Sequence, residues 1–473
     1  MSRRENAVIS ENEIQRQKNI ISEIKSKLDL NNKKRYAFVE TYGCAQNTDD
    51  SQRIVGMLSE MGYERTYDKE MADVILYNTC AVRENAELRV FGNIGALKAM
   101  KAKRPDLIIG VCGCMMQQEH IVEAIKKKYK HVDIVFGTHT LYRFPEIMSK
   151  AIEKNERVFD VIDVDGAIAE DLPVVRENTT NAMVSVMYGC NNFCTYCIVP
   201  YVRGRERSRD KEDILREVKT LADEGYKEIT LLGQNVNSYG NDLDEDIDFS
   251  DLLKMVEKVE GIERIRFVTS HPKDISDKLI DVLANSNKIC KQLHLPIQAG
   301  SNKILKAMNR KYTREEYLAK IDKIKAKIPD IALTSDIIVG FPGETNEDFE
   351  ETIKVLEKVR YDSVFSFVYS RRKGTPAAKM EDVITLEEKK KNLARLMDVQ
   401  AEISREKNKE LEGKTVKILV EGPSKTDKTF LTGRTDGGKI VNFPGDVKLT
   451  GEIINVKITK ANAWSMYGEV EGE

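Results

Sequence analysis

Three cysteines stand close together near the middle of the chain, and their spacing is the strongest chemical signal in the sequence. Cys190, Cys194 and Cys197 lie within eight residues, directly after an apolar, strand-like run from Met183 to Tyr188. Three thiolates without a fourth nearby can hold a 4Fe-4S cluster and leave one iron open to a further ligand. A compact zinc site would need a fourth Cys or His close by, and the next histidine is His271. The spacing therefore favours an iron–sulfur site over a zinc site or unligated core cysteines.

Three further cysteines fall at equivalent points of an earlier region. Residues 33–155 alternate apolar runs with amphipathic stretches in four strand–helix units, which predicts a parallel, doubly wound α/β sheet. Cys44, Cys80 and Cys114 each follow a predicted strand, at the edge where sites assemble in such sheets. We therefore predict that they converge on a second cluster, with plain burial in the core as the alternative. Cys112 lies inside an apolar run and is interpreted as core.

Residues 176–410 show a second strand–helix alternation, built around the Cys190 loop. Six such units predict a partial (βα)6 barrel, whose chemistry lies at the carboxyl rim of its strands. Ordinary turns are also polar and rich in glycine, so it is the shared position of several such residues that supports a site. The candidate cofactor-binding residues in this region are Tyr196, Gln234, Asn235, Ser270, Gln298, Asp336 and Gly340.

Arginines alternate along the segment that follows the cysteine triplet. Arg203, Arg205, Arg207 and Arg209 would line one face of an extended segment, and arginine is suited to bidentate phosphate contacts. Arg371 belongs to a second basic cluster, after the last predicted barrel strand. We predict that Arg203, Arg205, Arg207 and Arg371 bind a nucleic-acid substrate, although a solvated charged loop has the same composition.

The two ends of the chain differ from this strand–helix pattern. Residues 1–32 form a polar extension with a weak helical stripe, and residues 411–473 have the short strands and turns of a small all-β barrel. Such barrels often bind RNA, but this one has nearly balanced charge. The whole chain has a formal net charge of -2, so any RNA contact must be a local patch. With no long apolar segment and no leader pattern, we expect a cytoplasmic protein that does not enter a membrane.

The cysteine triplet and its surroundings resemble a known family. Cys190-x-x-x-Cys194-x-x-Cys197 is similar to the radical SAM signature, and the chain from about Lys33 to Glu471 resembles the methylthiotransferase family. That family has an N-terminal three-cysteine domain, a radical SAM partial barrel and a C-terminal TRAM domain. The segments that most resemble its bacterial tRNA branch, the MiaB type, are residues 41–47, 78–85, 200–209 and 232–240.

The resemblance implies two 4Fe-4S clusters and S-adenosyl-L-methionine as cofactors. Cys190, Cys194 and Cys197 would hold the cluster whose free iron chelates S-adenosylmethionine, and the other three cysteines would hold an auxiliary cluster that delivers a methylated sulfur species. The implied reaction is methylthiolation of carbon 2 of N6-isopentenyladenosine, next to the anticodon of tRNA. A 5′-deoxyadenosyl radical activates that carbon, and a second S-adenosylmethionine provides the methyl group.

The same resemblance implies partners and leaves alternatives open. The partners are the anticodon stem-loop of tRNA, an electron donor such as flavodoxin or ferredoxin, and a sulfur donor that the sequence does not identify; a monomer is expected. Sister enzymes with the same apparatus act on threonylcarbamoyladenosine in tRNA or on a ribosomal protein. A non-catalytic iron–sulfur protein that binds RNA is the alternative from another class.

Overall fold

The computed structural model describes residues 8–30, 33–82, 84–154, 156–162, 166–176 and 179–471. Arg83 of the segment 78–85, parts of the predicted N-terminal extension (1–7 and 31–32) and residue 155 at a predicted domain boundary lie outside these ranges. Within the ranges, no helix has both the length and the apolar character needed to cross a membrane.

The first part of the chain forms a parallel sheet with helices on both faces, which we call the sheet domain. Its elements in order are α1 (Glu11–Asp29), β1 (Arg35–Thr41), α2 (Ala45–Glu60), β2 (Tyr63–Arg65), β3 (Val74–Thr79), α3 (Glu84–Lys103), β4 (Ile108–Gly113), α4 (Glu119–Lys128), β5 (Ile134–Phe136), α5 (Phe144–Lys154) and β6 (Val158–Asp160). The strand order is β2-β1-β3-β4-β5-β6, and every pair is parallel.

Each face of this sheet has its own apolar core. Val74 and Leu76 pack with α1, α2 and α5 on one face, while Ile75 and Tyr77 pack with α3 and α4 on the other. This confirms the predicted doubly wound fold, since the strands are buried on both sides. The sequence indicated four strands; β2 and β6 were missed because each has three residues that mix apolar and charged types, whereas the equally short β5 is wholly apolar.

The second part of the chain is a partial barrel of six parallel strands. Its elements are β7 (Asn181–Ser185), β8 (Met187–Tyr188), α6 (Val199–Val202), β9 (Arg207–Ser208), α7 (Lys211–Asp223), β10 (Glu228–Leu232), α8 (Phe249–Glu257), β11 (Arg264–Phe267), α9 (Asp277–Asn285), β12 (Gln292–His294), α10 (Asn302–Ala307), α11 (Arg314–Lys327), β13 (Ala332–Val339), α12 (Asn346–Val359), β14 (Ser363–Val368) and α13 (Leu386–Lys409).

The six barrel strands run in the order β7, β10, β11, β12, β13, β14, as two three-stranded parallel sheets. A parallel bridge between Ile265 and Ile289 joins the two sheets. The small antiparallel pair β8 and β9 stands apart from them and carries the cysteine loop between its strands. Reciprocal capping boxes begin four of the outer helices, at Asp248, Thr313, Thr345 and Thr385, where side-chain oxygens satisfy exposed backbone N–H groups.

The third part is a closed five-stranded barrel, which we call the C-terminal barrel. Its strands are β15 (Thr415–Pro423), β16 (Leu431–Thr435), β17 (Ile440–Phe443), β18 (Ile453–Ala461) and β19 (Met466–Val470). The predicted all-β fold of this region is confirmed, although the sequence indicated only the first four strands. Short 3-10 helices in the described chain are Cys114–Gln117, Thr138–Arg143, Val236–Ser238, Pro272–Asp274, Pro376–Lys379 and Val447–Leu449.

The C-terminal barrel docks at the amino ends of the partial-barrel strands. Arg266 donates to the carbonyl oxygens of Asp436 (2.9 Å) and Thr435 (2.7 Å), in the turn between β16 and β17. The backbone N–H of Lys291 donates to the Asp436 carboxylate at 2.8 Å. The next residues of this turn also lie against the partial barrel, since a Cβ added at Gly438 would stand 2.5 Å from the Gln292 amide oxygen. The turn therefore lies across the amino end of the partial barrel, opposite its carboxyl rim.

Candidate functional site

The sheet domain brings its three candidate cysteines to one edge. Cys44 follows β1 and is the residue before α2, Cys80 follows β3, and Cys114 follows β4. Strands β1, β3 and β4 are direct neighbours, so their carboxyl ends lie side by side. Cys44 is exposed, whereas Cys80 and Cys114 are buried. Cys112, by contrast, is buried within β4 among the apolar residues of one sheet face.

Asn47 connects this group of cysteines. Its Oδ1 lies 3.3 Å from the Cys44 sulfur and 4.0 Å from the Cys114 sulfur. Its amide nitrogen donates to Asn78 Oδ1 at 3.1 Å and to the Thr79 carbonyl at 3.2 Å, which fixes the side chain against the end of β3. Two of the three thiols are therefore placed around one buried amide.

A buried arginine from the partial barrel completes this site. Arg203 Nε donates to the Cys114 sulfur at 3.1 Å, and its Nη2 donates to Asp50 Oδ2 at 2.6 Å. Burial raises the pKa of the Cys114 thiol to about 12, and the nearby guanidinium only partly offsets this. Metal ligation requires the thiolate, so a cluster together with this arginine would supply the positive charge that the buried sulfur needs.

The structure places three of the four alternating arginines in the interior. Only 5% of Arg203, 9% of Arg207 and 3% of Arg209 is exposed, so these side chains do not line one solvent face. Arg207 donates to the carbonyl oxygens of Arg203 and Arg205, and Arg209 pairs with two glutamates. Burial of Arg203 and Arg207 beside the sheet domain therefore gives no support to their expected contacts with RNA phosphates, which stay a prediction. Arg205 remains exposed.

The second cysteine group lies in the loop between β8 and β9. Gly189 enters this loop with φ +78°, and a Cβ there would lie 1.9 Å from the Arg205 carbonyl oxygen. Cys190 N–H donates to the Gly204 carbonyl at 3.1 Å, and Cys197 N–H donates to the Cys194 carbonyl at 2.9 Å. The loop thus turns back on itself with its three sulfurs in one short segment. A glycine is required at its start, since any side chain would meet backbone atoms.

Two side chains donate to the sulfurs of this loop. Arg310, which is buried, directs Nη1 to the Cys194 sulfur at 3.4 Å and donates to the Pro296 carbonyl from Nη2. Asn192 Nδ2 lies 3.5 Å from the Cys190 sulfur. Burial raises the pKa of Cys190 to about 12. Each cysteine group therefore has a buried arginine beside one sulfur.

The first candidate cofactor residues lie next to the cysteine loop. Gln234 Oε1 accepts the backbone N–H of Gly189, directly before Cys190. Asn235 donates to Asp274 at 2.8 Å, but its buried Oδ1 has no hydrogen-bond partner among the described residues. Ser270 Oγ is also buried without a hydrogen-bond partner among the described residues. These unpartnered polar atoms, in the loops after β10 and β11, suit a polar ligand at the barrel rim.

The remaining candidates lie on or near β12 and β13. Gln298 has φ +73° and bridges by its backbone to β13, while Asp336 Oδ2 lies 3.5 Å from His294 Nε2. Gly340 has φ +72°, and its N–H donates to the Glu344 carboxylate. Burial raises the pKa of Glu344 to about 7. Tyr196, in the cysteine loop, is partly buried against the barrel core.

The two cysteine groups meet at the boundary between the sheet domain and the partial barrel. Ile198, directly after Cys197, packs in one small apolar cluster with Ala81, Cys114 and Val202. Gln46 in α2 donates to Ser185 Oγ of β7 at 2.8 Å, which adds a buried polar contact beside this cluster. Within the described chain, no three Cys, His, Asp or Glu side chains are grouped tightly enough for a single metal ion. A 4Fe-4S cluster instead binds each thiolate to a different iron.

Sequence reasoning missed Arg310 and Asn47, which contact cysteine sulfurs, and Asp50, which pairs with Arg203 beside Cys114. Arg310 stands in a short segment after α10 and Asp50 lies inside α2, where one sequence gives no sign that a charge is buried. Asn47 was within the segment 41–47 on which the family resemblance rested, and its place three residues after Cys44 was a usable signal.

Three family descriptions match successive parts of the chain. The Radical SAM superfamily matches residues 184–356, an uncharacterized family, UPF0004, matches residues 36–137, and the TRAM domain matches residues 409–470. The matched order agrees with the three structural parts described above.

Full-length relatives are also similar to this chain. A tRNA-2-methylthio-N(6)-dimethylallyladenosine synthase of Thermoanaerobacter sp. (strain X514) is 56% identical over 465 residues, which cover 98% of both chains. Synthases of the same name are 55% identical in Acetivibrio thermocellus, covering 99% of this chain and 98% of the relative, and 56% identical in Alkaliphilus oremlandii, covering 99% of both.

Among solved structures, a radical S-adenosylmethionine methyltransferase from Kitasatospora setae matches with a TM-score of 0.52. It is 14% identical, and the match covers 73% of this chain and 75% of that one. At this identity the match supports the fold alone.

Proposed function

Since the chain belongs to the tRNA-2-methylthio-N(6)-dimethylallyladenosine synthase family, we propose that it is a radical SAM methylthiotransferase that modifies N6-dimethylallyladenosine (isopentenyladenosine) in tRNA. The product carries a methylthio group on carbon 2 of the adenine next to the anticodon. The cofactors are two 4Fe-4S clusters and S-adenosyl-L-methionine. Acting on tRNA places the protein in the cytoplasm.

One structural observation supports this proposal above the others: the two cysteine groups share a boundary. The guanidinium of Arg203, in the partial barrel, lies 3.1 Å from the sulfur of Cys114, in the sheet domain. Ile198, next to Cys197, packs against the same cysteine. A reaction that starts at one cluster and takes sulfur from the other needs this closeness, because a reactive intermediate must not meet water between them.

The chain's own residues would hold and tune both groups. Cys190, Cys194 and Cys197 would bind the cluster that chelates S-adenosylmethionine, and Cys44, Cys80 and Cys114 would bind the auxiliary cluster. When bound, the cofactors supply the radical that activates carbon 2 and the methyl and sulfur that are transferred. Arg310 and Arg203 each donate to one sulfur in a buried setting, where a charge-assisted hydrogen bond is strong.

Other candidate residues would position S-adenosylmethionine and RNA. The loops with Asn235 and Ser270 offer S-adenosylmethionine buried polar atoms that have no hydrogen-bond partner among the described residues. Arg205, in the loop between β8 and β9, and Arg371, which follows β14, are both exposed. We assign them to phosphate contacts. The Arg205 guanidinium lies 4.3 Å from the ring centre of Phe193, which holds it at the surface. The electron donor would be a small protein such as flavodoxin or ferredoxin, acting on a monomer.

Anaerobic reconstitution with matched cysteine variants tests the proposal. Cys194→Ala should abolish formation of 5′-deoxyadenosine, whereas Cys80→Ala should retain it and lose methylthio transfer. Cys112→Ala is the control, since that buried thiol packs in the core of the same sheet domain. It should retain both products. A wild-type protein that is reduced and loaded but makes no 5′-deoxyadenosine would contradict the radical mechanism.

Nucleoside analysis decides the substrate. Mass spectrometry of tRNA from a deletion strain should show accumulation of the dimethylallyl nucleoside without its methylthio group. Accumulation of unmodified threonylcarbamoyladenosine, or loss of a ribosomal-protein modification, would instead favour a sister activity. No change in any of them, together with retained RNA binding, would favour the non-catalytic alternative.

A further inference from the structure

The inward face of the partial barrel carries two exposed aromatic rings on its last strand. In β14, the edge strand of the second three-stranded sheet, Phe365 is 54% exposed and Phe367 is 49% exposed. Exposed large apolar groups that stand side by side on a rigid element are characteristic of binding sites. Their alternation along the strand places both rings on the same face.

Pairing with the neighbouring strand identifies that face. Phe365 is in register with Asp336 of β13, and Phe367 is in register with Ile338. The side chain of Asp336 lies 3.5 Å from His294 Nε2 of β12, and the Phe365 ring stands at 6.0 Å from the His294 ring in an edge arrangement. These side chains come from three adjacent strands and contact one another across the same side of the sheet. The two phenylalanines therefore face the interior of the partial barrel.

The interior is blocked at its amino end. Arg266 and Gln292 lie there, joined by a hydrogen bond of 2.7 Å, and the turn of the C-terminal barrel covers them. A ligand must then enter from the carboxyl rim or past β14, which pairs with β13 alone among the described strands. The second route leads directly past the two phenylalanine rings, which lie on β14.

We infer that Phe365 and Phe367 form an apolar subsite for the dimethylallyl group of the target nucleoside. This inference rests on the proposed function. A branched five-carbon alkenyl chain is apolar and needs a hydrophobic surface, whereas an unmodified adenine amino group would gain nothing from two phenyl rings. The polar His294 and Asp336 next to the rings suit the adenine end of the same ligand. The subsite would make the enzyme select RNA that already carries the alkenyl group.

A binding experiment with two RNAs tests this inference. Reconstituted holoprotein, kept anaerobic with S-adenosylmethionine, is titrated with anticodon stem-loops that carry either N6-dimethylallyladenosine or adenosine at the target position. The wild type should prefer the alkenyl RNA by about tenfold or more, since even one methylene in an apolar pocket is worth about tenfold. In Phe365→Ser/Phe367→Ser this preference should fall to nearly onefold, while the affinity for the adenosine RNA stays within about twofold.

Two further variants keep the test specific. Phe365→Leu/Phe367→Leu retains apolar surface and should keep most of the preference. Tyr67→Ala removes an exposed aromatic ring of the sheet domain and should change nothing. An unchanged preference in the serine variant, or loss of S-adenosylmethionine binding instead of RNA preference, would overturn the inference. A wild type that shows no preference and does not modify the alkenyl RNA would overturn the proposed function, and the inference with it.

Discussion

Each cysteine group has one buried arginine on one of its sulfurs, Arg203 on Cys114 and Arg310 on Cys194. The sequence presented Arg203 as one of several alternating basic residues, because alternation describes a segment but not what covers it. Domain docking decides that point, and docking is a long-range property that no local pattern encodes. The placement of the cysteines could be predicted since their spacing and their positions after strands are local features, while their role as cluster ligands stays a prediction.

Replacement of Arg203 should uncouple the two cysteine groups. In Arg203→Met, Asp50 remains buried without its cation and Cys114 loses its donor, which should destabilise the fold by about 3 to 5 kcal/mol. Iron content should fall by about half, to the share of the radical SAM group, and 5′-deoxyadenosine formation should persist. Iron analysis and product assays on one preparation measure both.

Arg203→Lys is the informative companion, since it keeps the charge but not the planar fork. Compared with Arg203→Met, its stability should return closer to the wild-type value than its iron content does. Equal iron in wild type and Arg203→Met would show that the contact with Cys114 serves packing alone.

Glu344 should make stability depend on pH. Burial raises its pKa from 4.5 to about 7, so the folded state holds a proton that the unfolded state releases. The stability from this group is complete below pH 4.5 and is lost as pH rises through about 7. Between about pH 5 and pH 8, the free energy of unfolding measured in urea should fall by about 2 to 3 kcal/mol more in the wild type than in Glu344→Gln. Parallel curves for the two proteins would contradict this.

At the scale of elements, most strands and helices followed from periodicity, and the exceptions have physical reasons. Strand β14 was predicted with its observed ends, Ser363 and Val368, whereas β19 was missed because Met466–Val470 has little apolar alternation. What the pattern of β14 did not reveal is that Phe365 and Phe367 remain exposed. In a closed barrel they would be core; here the barrel is partial.

Two helical glycines provide a matched test of helix packing. A Cβ at Gly56 in α2 would lie 2.4 Å from the carbonyl oxygen of Pro173, in the linker between β6 and β7. One at Gly92 in α3 would meet no described atom within 4 Å. Gly92→Ala should stabilise the protein by about 0.5 to 1 kcal/mol through helix propensity. Gly56→Ala should destabilise it by about 1 to 3 kcal/mol, since the linker backbone must move. Thermal unfolding of both variants decides the sign, and stabilisation by Gly56→Ala would show that the linker yields easily.

At the scale of the whole molecule, the three parts and their order could be predicted, but not how they dock. The β-rich texture of the C-terminal barrel carries no information on which end of the partial barrel it covers. Arg264 and Arg266 determine this, because they start β11 and donate to the carbonyl oxygens of the C-terminal barrel. In the sequence they were two charges in an otherwise apolar strand.

Arg266→Met should loosen the C-terminal barrel. The change removes hydrogen bonds to two backbone carbonyls and the ion pair with Glu228. This buried carboxylate would keep the Asn181 amide at 2.6 Å, but its nearest cation would be Arg264 at 3.9 Å. We expect the free energy of unfolding to fall by about 3 to 5 kcal/mol and proteolysis near residue 410 to become faster. Arg434→Met is the control, since its pair with Glu421 is partly exposed and should contribute at most about 1 kcal/mol. Equal protease sensitivity of the two variants would contradict this role of Arg266.

The turn at residues 435–438 limits how the protein can be truncated. Because this turn lies across the amino end of the partial barrel, a truncation after residue 410 would not yield a self-contained catalytic fragment with weaker RNA affinity. Truncation would open the interior of the partial barrel at its amino end and admit bulk water there. We expect such a fragment to consume S-adenosylmethionine without modifying RNA, because water would reach the reactive intermediate.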